Sequence, residues 1–338
     1  MTMTLAQIIR SKLRRESIYL GRDISYAFGR YDDFYKSARG SRIVVYHGIC
    51  QKDHLRFNPI FLTYKTFEAH LKLYKKYFNV VSLNDYYEQR FSDNRFNICI
   101  TFDDGFANNF KYVLPLLEQY RIPATFFITS IRAAGYDILW NDFLGIISKY
   151  GPQKLVYKDE PYYKGRFDKY ISTKTGISLV EKLRSVGFEE KAEMMELLYP
   201  LLTFKMDKRQ DDYWLQMTVD QITALSSSPF ANIGAHGYYH NDLAKINIAD
   251  AANESKFSKQ YLEDLTGQPI NSFAFPYGAY NDEVIAAAKQ AGYQQLLATD
   301  FHSVTESEDR MMRERFTVNP FISPNNQMYA TITRRYEH

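Results

Sequence analysis

The sequence predicts an α/β protein built on a parallel sheet, open or closed into a barrel. Three observations point there. Apolar strands alternate with segments of helical period from residue 42 to about 130, and again from 219 to about 300. A stretch at roughly 135–215 breaks that rhythm and reads as an insertion. Two strands also run straight into polar residues, "NICITF" into Asp103-Asp104-Gly105 and "FANIGA" into His236. Parallel-sheet folds place their active sites at such strand ends.

Taken in order, "RIVVYHGI" is a buried strand ending in Tyr46-His47-Gly48. "TYKTFEAHLKLYKKYF" is a helix, with Phe67, Leu71, Tyr74 and Phe78 near helical spacing. "NVVSL" is a short strand, "DYYEQRF" a short helix, and "NICITF" the strand that delivers Asp103. The helix "NNFKYVLPLLEQY" leads to the strand "PATFFIT", rich in β-branched and aromatic residues. In the second run, "VDQITALSSS", "NESKFSKQYLEDLTG" and "DEVIAAAKQAG" are helices. Gly267 and Gly292 stand where the last two should stop. "FANIGAH", "SFAFPYG" and "YQQLLAT" are strands. The insertion is mainly helical in pattern and includes a polar, tyrosine-rich piece, "YKDEPYYKGRFDKY".

Bulk composition, with 45% hydrophobic and 24% charged residues in 338, is that of an ordinary globular protein. Two cysteines, Cys50 and Cys99, are too few for a disulfide scaffold, and Cys99 lies in an apolar run where a buried thiol is expected. Most of the 28 tyrosines and 24 phenylalanines must serve packing. Residues 1–42 carry nine Lys/Arg and four Asp/Glu, a net of +5, whereas the whole chain nets +3. With the remainder at −2 and no basic stripe, nucleic-acid binding is not expected. Leu5, Ile8, Ile9 and Leu13 recur at helical spacing among Arg10, Lys12, Arg14 and Arg15. Two readings fit: a helix on an anionic membrane surface, or an amphipathic helix docked on its own protein. No run is long enough to span a membrane, and the interleaved charges do not read as a secretory signal.

The chemistry concentrates in three places. His236 and His240 are four residues apart, and on a helix or tight turn both imidazoles could share one metal ion. Gly237 occupies the position where a zinc-protease motif needs its glutamate. Asp103 and Asp104 would face opposite sides if the strand stayed extended, so one can join the histidines as a ligand while the other handles a proton. Three protein ligands and an open position form a catalytic arrangement. "FPYG", with Pro276 and Gly278 around Tyr277, is a rigid turn able to aim a backbone N–H at an oxyanion.

Thr101-Phe102-Asp103-Asp104-Gly105, His236-x-x-x-His240 and Phe275-Pro276-Tyr277-Gly278, in this order, resemble the polysaccharide deacetylase family (carbohydrate esterase family 4, the NodB-homology domain). The resemblance covers roughly residues 42–135 and 215–320. It implies a deformed (β/α) barrel of the NodB-homology type, here with a mainly helical insertion. It divides the chain into a basic N-terminal extension (1–41) and a catalytic domain (42–330) interrupted at about 135–215. It further implies a divalent metal, zinc before nickel, cobalt or iron(II), held by Asp104, His236 and His240. Asp103 resembles the general base and the backbone of Tyr277 the oxyanion donor. Two departures stand out. The arginine that many members carry two residues before the proline, steadying the catalytic aspartate, is here Ala274. The late Leu-x-His motif that supplies their general acid is not evident, although His302 lies in about the right region. A branch that includes deacetylases of poly-N-acetylglucosamine exopolysaccharide takes its acid from an early Tyr-His motif. Tyr46-His47 matches that branch, so His47 is preferred to His302.

The resemblance therefore implies a hydrolase that removes N-acetyl groups from an amino sugar in a polysaccharide, glycolipid or glycan precursor, as in exopolysaccharide biosynthesis. Pro276, Tyr277 and Trp140 are its expected substrate contacts, and Trp140 and Asp142 in "ILWNDF" could equally be packing. The remaining histidines, His54, His70 and His338, read as surface residues. The expected setting is cytoplasmic, with the basic N-terminus near the inner face of a membrane. Two rivals remain: magnesium-dependent phosphoryl chemistry, which a two-histidine site does not favour, and a sugar-binding relative without activity, suggested by Ala274.

Overall fold

The computed structural model describes residues 5–201 and 208–337. Its centre is a barrel of seven parallel strands. Together with one flanking strand they make a sheet of eight: β1 (Ser41–Tyr46), β2 (Asn79–Val81), β3 (Asn97–Phe102), β4 (Ala124–Ile128), β5 (Ala231–Ala235), β6 (Ser272–Ala274), β7 (Gln295–Ala298) and β8 (Met312–Thr317). Seven of them close a ring in the order β1, β8, β7, β6, β5, β4, β3, with β3 returning to β1 over the full register from Ser41↔Asn97 to Tyr46↔Phe102. The eighth, β2, stands outside the ring. It pairs with the start of β3 (Asn79↔Asn97 to Val81↔Cys99), while β4 pairs only with its end (Thr101↔Thr125, Phe102↔Phe126). This shared edge deforms the barrel.

Alternation along the strands decides what faces inward. Ile98, Ile100 and Phe102 join the large core between barrel and helices, as do Val44 and Tyr46 and also Ile233 and Ala235. Their neighbours Ile43, Cys99, Phe127, Ala274 and Leu297 fill the barrel itself. Extending the same alternation puts His47, Asp103 and His236 on the inner side, at the C-terminal end of the ring.

Most of the expected elements form, including the helices Tyr64–Tyr77, Val219–Ser226, Ile248–Thr266 and Asp282–Gln290. Gly267 terminates the third of these with φ +66. The pattern did not indicate β8, whose "MRERFT" has four polar or charged residues in six, nor the helix Pro324–Thr333. The segment between β4 and β5 is less helical than expected. After the helix Trp140–Tyr150 the chain makes a three-stranded antiparallel sheet, Lys154–Tyr157, Glu160–Lys164 and Tyr170–Ser172. The tyrosine-rich piece alternates, so Tyr157, Tyr162 and Tyr170 turn into a core shared with Trp140 and Met194. The helices Leu179–Arg184 and Phe188–Leu198 follow.

The N-terminal helix α1 (Leu5–Ala27) docks by one face on Pro324–Thr333. Arg22 is buried there, donating to Asn326 Oδ1 (2.7 Å) and Glu337 Oε1 (2.8 Å), with its guanidinium 3.7 Å from the Tyr329 ring centre. Asn326 Nδ2 donates to the Tyr19 carbonyl (3.1 Å), and Ser323 Oγ to Asp23 Oδ1 (2.6 Å). Among the described residues no helix is long and apolar enough to cross a membrane. Both cysteines are buried and unpaired.

Arg22→Ala leaves Glu337 and Asn326 without their charged donor. It should lower unfolding stability by about 1.5–3 kcal/mol, the usual contribution of hydrogen bonds to charged groups. Urea denaturation beside the unchanged chain checks this.

Candidate active site

The chain leaves β3 through a turn. Asp104 has φ +75 and Gly105 φ +77, so the strand stops being extended at the second aspartate. A side chain at 105 would meet Ile128 at 3.0 Å, which reserves that position for glycine. The turn alters the expectation for the pair. Asp103 and Asp104 do not diverge to opposite sides of a strand; both carboxylates lie beside the same histidine. His236 Nε2 is 3.4 Å from Asp104 Oδ1 and 3.9 Å from Asp103 Oδ2.

His240 Nε2 is 3.2 Å from Asp104 Oδ1. One oxygen and two ring nitrogens thus lie within 4.8 Å of one another, all on buried residues. The His236 Nδ1–H donates to the Ala274 carbonyl (2.8 Å), which fixes the ring with Nε2 turned toward Asp104. Two imidazoles and a carboxylate are the donor set of a zinc-type centre with a position left open, so the residues present fit a divalent metal. Burial raises the Asp104 pKa, but hydrogen bonds to both histidines outweigh it and hold the carboxyl well below the usual range. His236 rises despite burial because of the two aspartates, whereas burial prevails at His240 and lowers it.

His240 sits on a loop, at φ +58, rather than on a helix. Glu254 holds this loop from beneath. Its Oε2 accepts from the N–H groups of Tyr238 (2.6 Å) and Tyr239 (3.0 Å), and its Oε1 from Asn241 (2.7 Å). Burial lifts its carboxyl to about 7, although the two backbone donors favour the charged form. The segment between β4 and β5 closes the loop from above. Trp140 Nε1 donates to the His240 carbonyl (3.0 Å), Lys191 to Asn241 Oδ1, and Arg184 to Asp242 Oδ2 (2.7 Å).

Asp103 has a partner that the motifs did not reveal. Arg315, on β8, grips it with two parallel bonds, Nη1 to Oδ1 (2.6 Å) and Nη2 to Oδ2 (2.7 Å). The two side chains are 1% and 6% exposed. The arginine absent at Ala274 is thus supplied by another strand, across the barrel interior that Ala274 lines. Burial pushes Asp103 upward, but Arg315 and then His236 overcome it and keep the carboxyl below its ordinary range. The available signal was a charged residue at an inward position of a late strand, but β8 is too polar to be recognised as buried.

His47, at the end of β1, lies within electrostatic reach of Asp104, Asp103, Arg315 and His236; burial lowers its pKa and the carboxylates oppose this. Tyr46 turns the other way, into the core, and shares hydrogen bonds with His70 Nδ1 (3.0 Å) and Tyr74 (2.7 Å). His70 is therefore not a surface residue: it is buried, and burial holds it near 3 and so neutral. His54 is partly buried, and His338 lies outside the described residues. His302 is exposed, lying flat on Tyr280 at 4.5 Å.

Tyr277 has φ +59, with its ring 4.5 Å from that of His240 and the Arg184 guanidinium 4.4 Å away. Gly278 is held close to Thr299, whose Oγ1 would be 2.1 Å from any added Cβ. Pro276 and Trp140 are buried. The expectation that Trp140 lines the cleft is corrected: its indole is enclosed, its N–H is used by the His240 carbonyl, and Lys191 lies 4.7 Å from its ring. Asp142 keeps a buried oxygen without a partner among the described residues, and burial with the field of Asp104 pushes its carboxyl well above the usual range.

The family model described as polysaccharide deacetylase matches residues 92–155 and 200–296. Over those segments the chain resembles the polysaccharide deacetylase family. YxkH of Bacillus subtilis (strain 168), which that family's name also covers, is 19% identical over 285 residues, spanning 83% of this chain and 72% of its own. Among solved structures, a deacetylase of Streptococcus pyogenes, PplD in complex with acetate, superposes with a TM-score of 0.54 at 16% identity, covering 86% of this chain and 97% of the other. A de-N-acetylase from Aggregatibacter actinomycetemcomitans gives 0.51 at 17%, covering 84% and 95%. These likenesses bear on the fold, the barrel of this deacetylase family. His47 and Arg315 both lie outside the matched segments.

Arg315→Leu strands a buried carboxylate and should destabilise the fold by about 3–5 kcal/mol at neutral pH. Asp103 contributes stability above the ordinary aspartate pKa and loses it as pH falls through its lowered value. The gap between variant and unchanged chain should therefore narrow in acid, which urea melts over a pH series would show.

Proposed function

We propose that the chain is a metal-dependent hydrolase that removes N-acetyl groups from an amino sugar in a polysaccharide, glycolipid or glycan precursor. The observation that carries this is the pairing of two units. A His-His-Asp set is built for a metal, and beside it stands a carboxylate that Arg315 keeps ionised. The match to the polysaccharide deacetylase family model supports the reading, as do the deacetylase names of the structures it resembles. Asp104, His236 and His240 would hold the ion, with zinc first choice for two imidazoles and a carboxylate and nickel, cobalt or iron(II) as substitutes. When bound, such an ion supplies Lewis acidity and lowers the pKa of water in its open position.

The chain's own groups then have distinct tasks. Asp103, ionised at neutral pH, accepts a proton from the attacking water. The Tyr277 backbone N–H meets the oxyanion of the tetrahedral carbon. His47 delivers a proton to the amine nitrogen as the C–N bond breaks; otherwise the amine would be a poor leaving group. Burial favours neutral His47 in the resting site, while the fields of Asp104 and Asp103 favour its protonated form. The rival reading of a sugar-binding relative without activity drew its support from Ala274, and Arg315 removes that support. The proposal also sets the enzyme in the cytoplasm, with its basic N-terminal helix against the anionic inner leaflet of a membrane.

Asp103→Asn should retain metal yet release acetate about 10²–10⁴-fold more slowly, the usual contribution of a general base. His236→Ala should lose metal and turnover together. Acetate release from N-acetylated oligosaccharides, with elemental analysis of the same samples, reads both; wild-type turnover by Asp103→Asn would remove Asp103 as the base. The base is active above its folded pKa, so Arg315→Gln, which lets that pKa rise, should move the acid limb of the pH–rate profile to higher pH. It should also cost roughly 10–100-fold in turnover.

A further inference from the structure

The face of α1 turned away from Pro324–Thr333 carries an apolar row. Ile9 is 50% exposed, Leu13 66%, Leu20 62%, Ile24 50%, and Phe28, just past the helix end, 76%. At helical rotation these five fall within an arc of about 100°. The docked residues Tyr19, Arg22 and Tyr26 lie on the opposite side, so the described residues leave the row uncovered. Single exposed apolar residues are normal, whereas five aligned on one face, interrupted only by Ser17, mark an interaction surface. Phe321, 65% exposed, lies two residues before Ser323, which bonds Asp23 of the same helix.

Charge identifies the occupant. Arg10 and Arg14 border one edge of the row and Lys12 the other, all exposed. The acids on the Lys12 edge are both engaged, Glu16 with Arg15 (3.5 Å) and Asp23 with Ser323 (2.6 Å). Basic edges along an apolar face complement phosphate headgroups above acyl chains. A second copy packed face to face would bring two sets of arginine and lysine together. We propose that this face of α1 docks on an anionic lipid surface, giving named residues to the membrane contact of the proposed function, on which the inference rests. Docking by α1 leaves its opposite face on Pro324–Thr333 and so anchors the barrel at the membrane.

The test is flotation of the full chain with vesicles of phosphatidylcholine alone or with about 30% phosphatidylglycerol. The unchanged chain should float with the anionic vesicles and stay behind with the neutral ones. Leu13→Glu with Leu20→Glu should cut the bound fraction by about tenfold or more. Arg10→Gln, Lys12→Gln and Arg14→Gln together should abolish the preference for anionic lipid. Circular dichroism and acetate release from a soluble oligosaccharide should not change, so this inference and the deacetylase reading fail separately. Equal flotation of the glutamate variant, or none by the unchanged chain, overturns the proposal. So does a dimer in sedimentation velocity that the glutamate pair dissolves without any vesicle binding, which would assign the row to a second copy.

Discussion

Asp103 and Arg315 are separated by 212 residues and joined by two short parallel bonds inside the barrel. The strand between them is β1, which pairs with β3 on one side and β8 on the other. The pair therefore forms only when the ring has closed and the last strand has found its register, Ile43↔Arg315. Two buried opposite charges confer little net stability if they merely replace apolar neighbours, yet either alone is costly. Correct closure is thus enforced from within, and the aspartate at the mouth of the site is held in one protonation state by the same contact.

The strand ends were legible because period-two alternation survives in "RIVVYH", "NICITFD" and "NIGAH". It places His47, Asp103 and His236 on one side of their strands, and closure brings those sides together. What failed to show was of two kinds. β8 breaks the apolar rule because its inner face carries an arginine, so the feature that matters most also hides the strand. The tyrosine meander of 154–172 was hidden by its polar edges, although every second residue turns inward. His70 was misplaced for a related reason: a histidine on a helix reads as surface until its partner, Tyr46, is known to point outward from the barrel into the helix layer.

Three site residues that are not glycine, Asp104, His240 and Tyr277, adopt positive φ. That region disfavours L-residues, and such conformations persist only where the surroundings over-determine them. Here they do. Glu254, Trp140, Lys191 and Arg184 together fix the turn from Gly237 to Asp242, and Gly278 seats the Tyr277 turn against Thr299. The segment between β4 and β5 is therefore part of the site's frame, although Trp140 offers no surface to a substrate.

The Asp103–Asp104 junction has a consequence for how such a site can change over time. Arg315, His47 and Asp103 come from three neighbouring strands, β8, β1 and β3, whereas Asp104, His236 and His240 draw on the ends of β3 and β5. The mouth of the barrel is two half-sites that meet at one peptide bond, where the backbone turns left-handed. The halves touch through His236, which lies 3.9 Å from Asp103 and shares its field. On the proposed function, a lineage could alter its preferred ion chiefly through the β5 loop and its proton chemistry chiefly through β8, with His236 passing part of either change across.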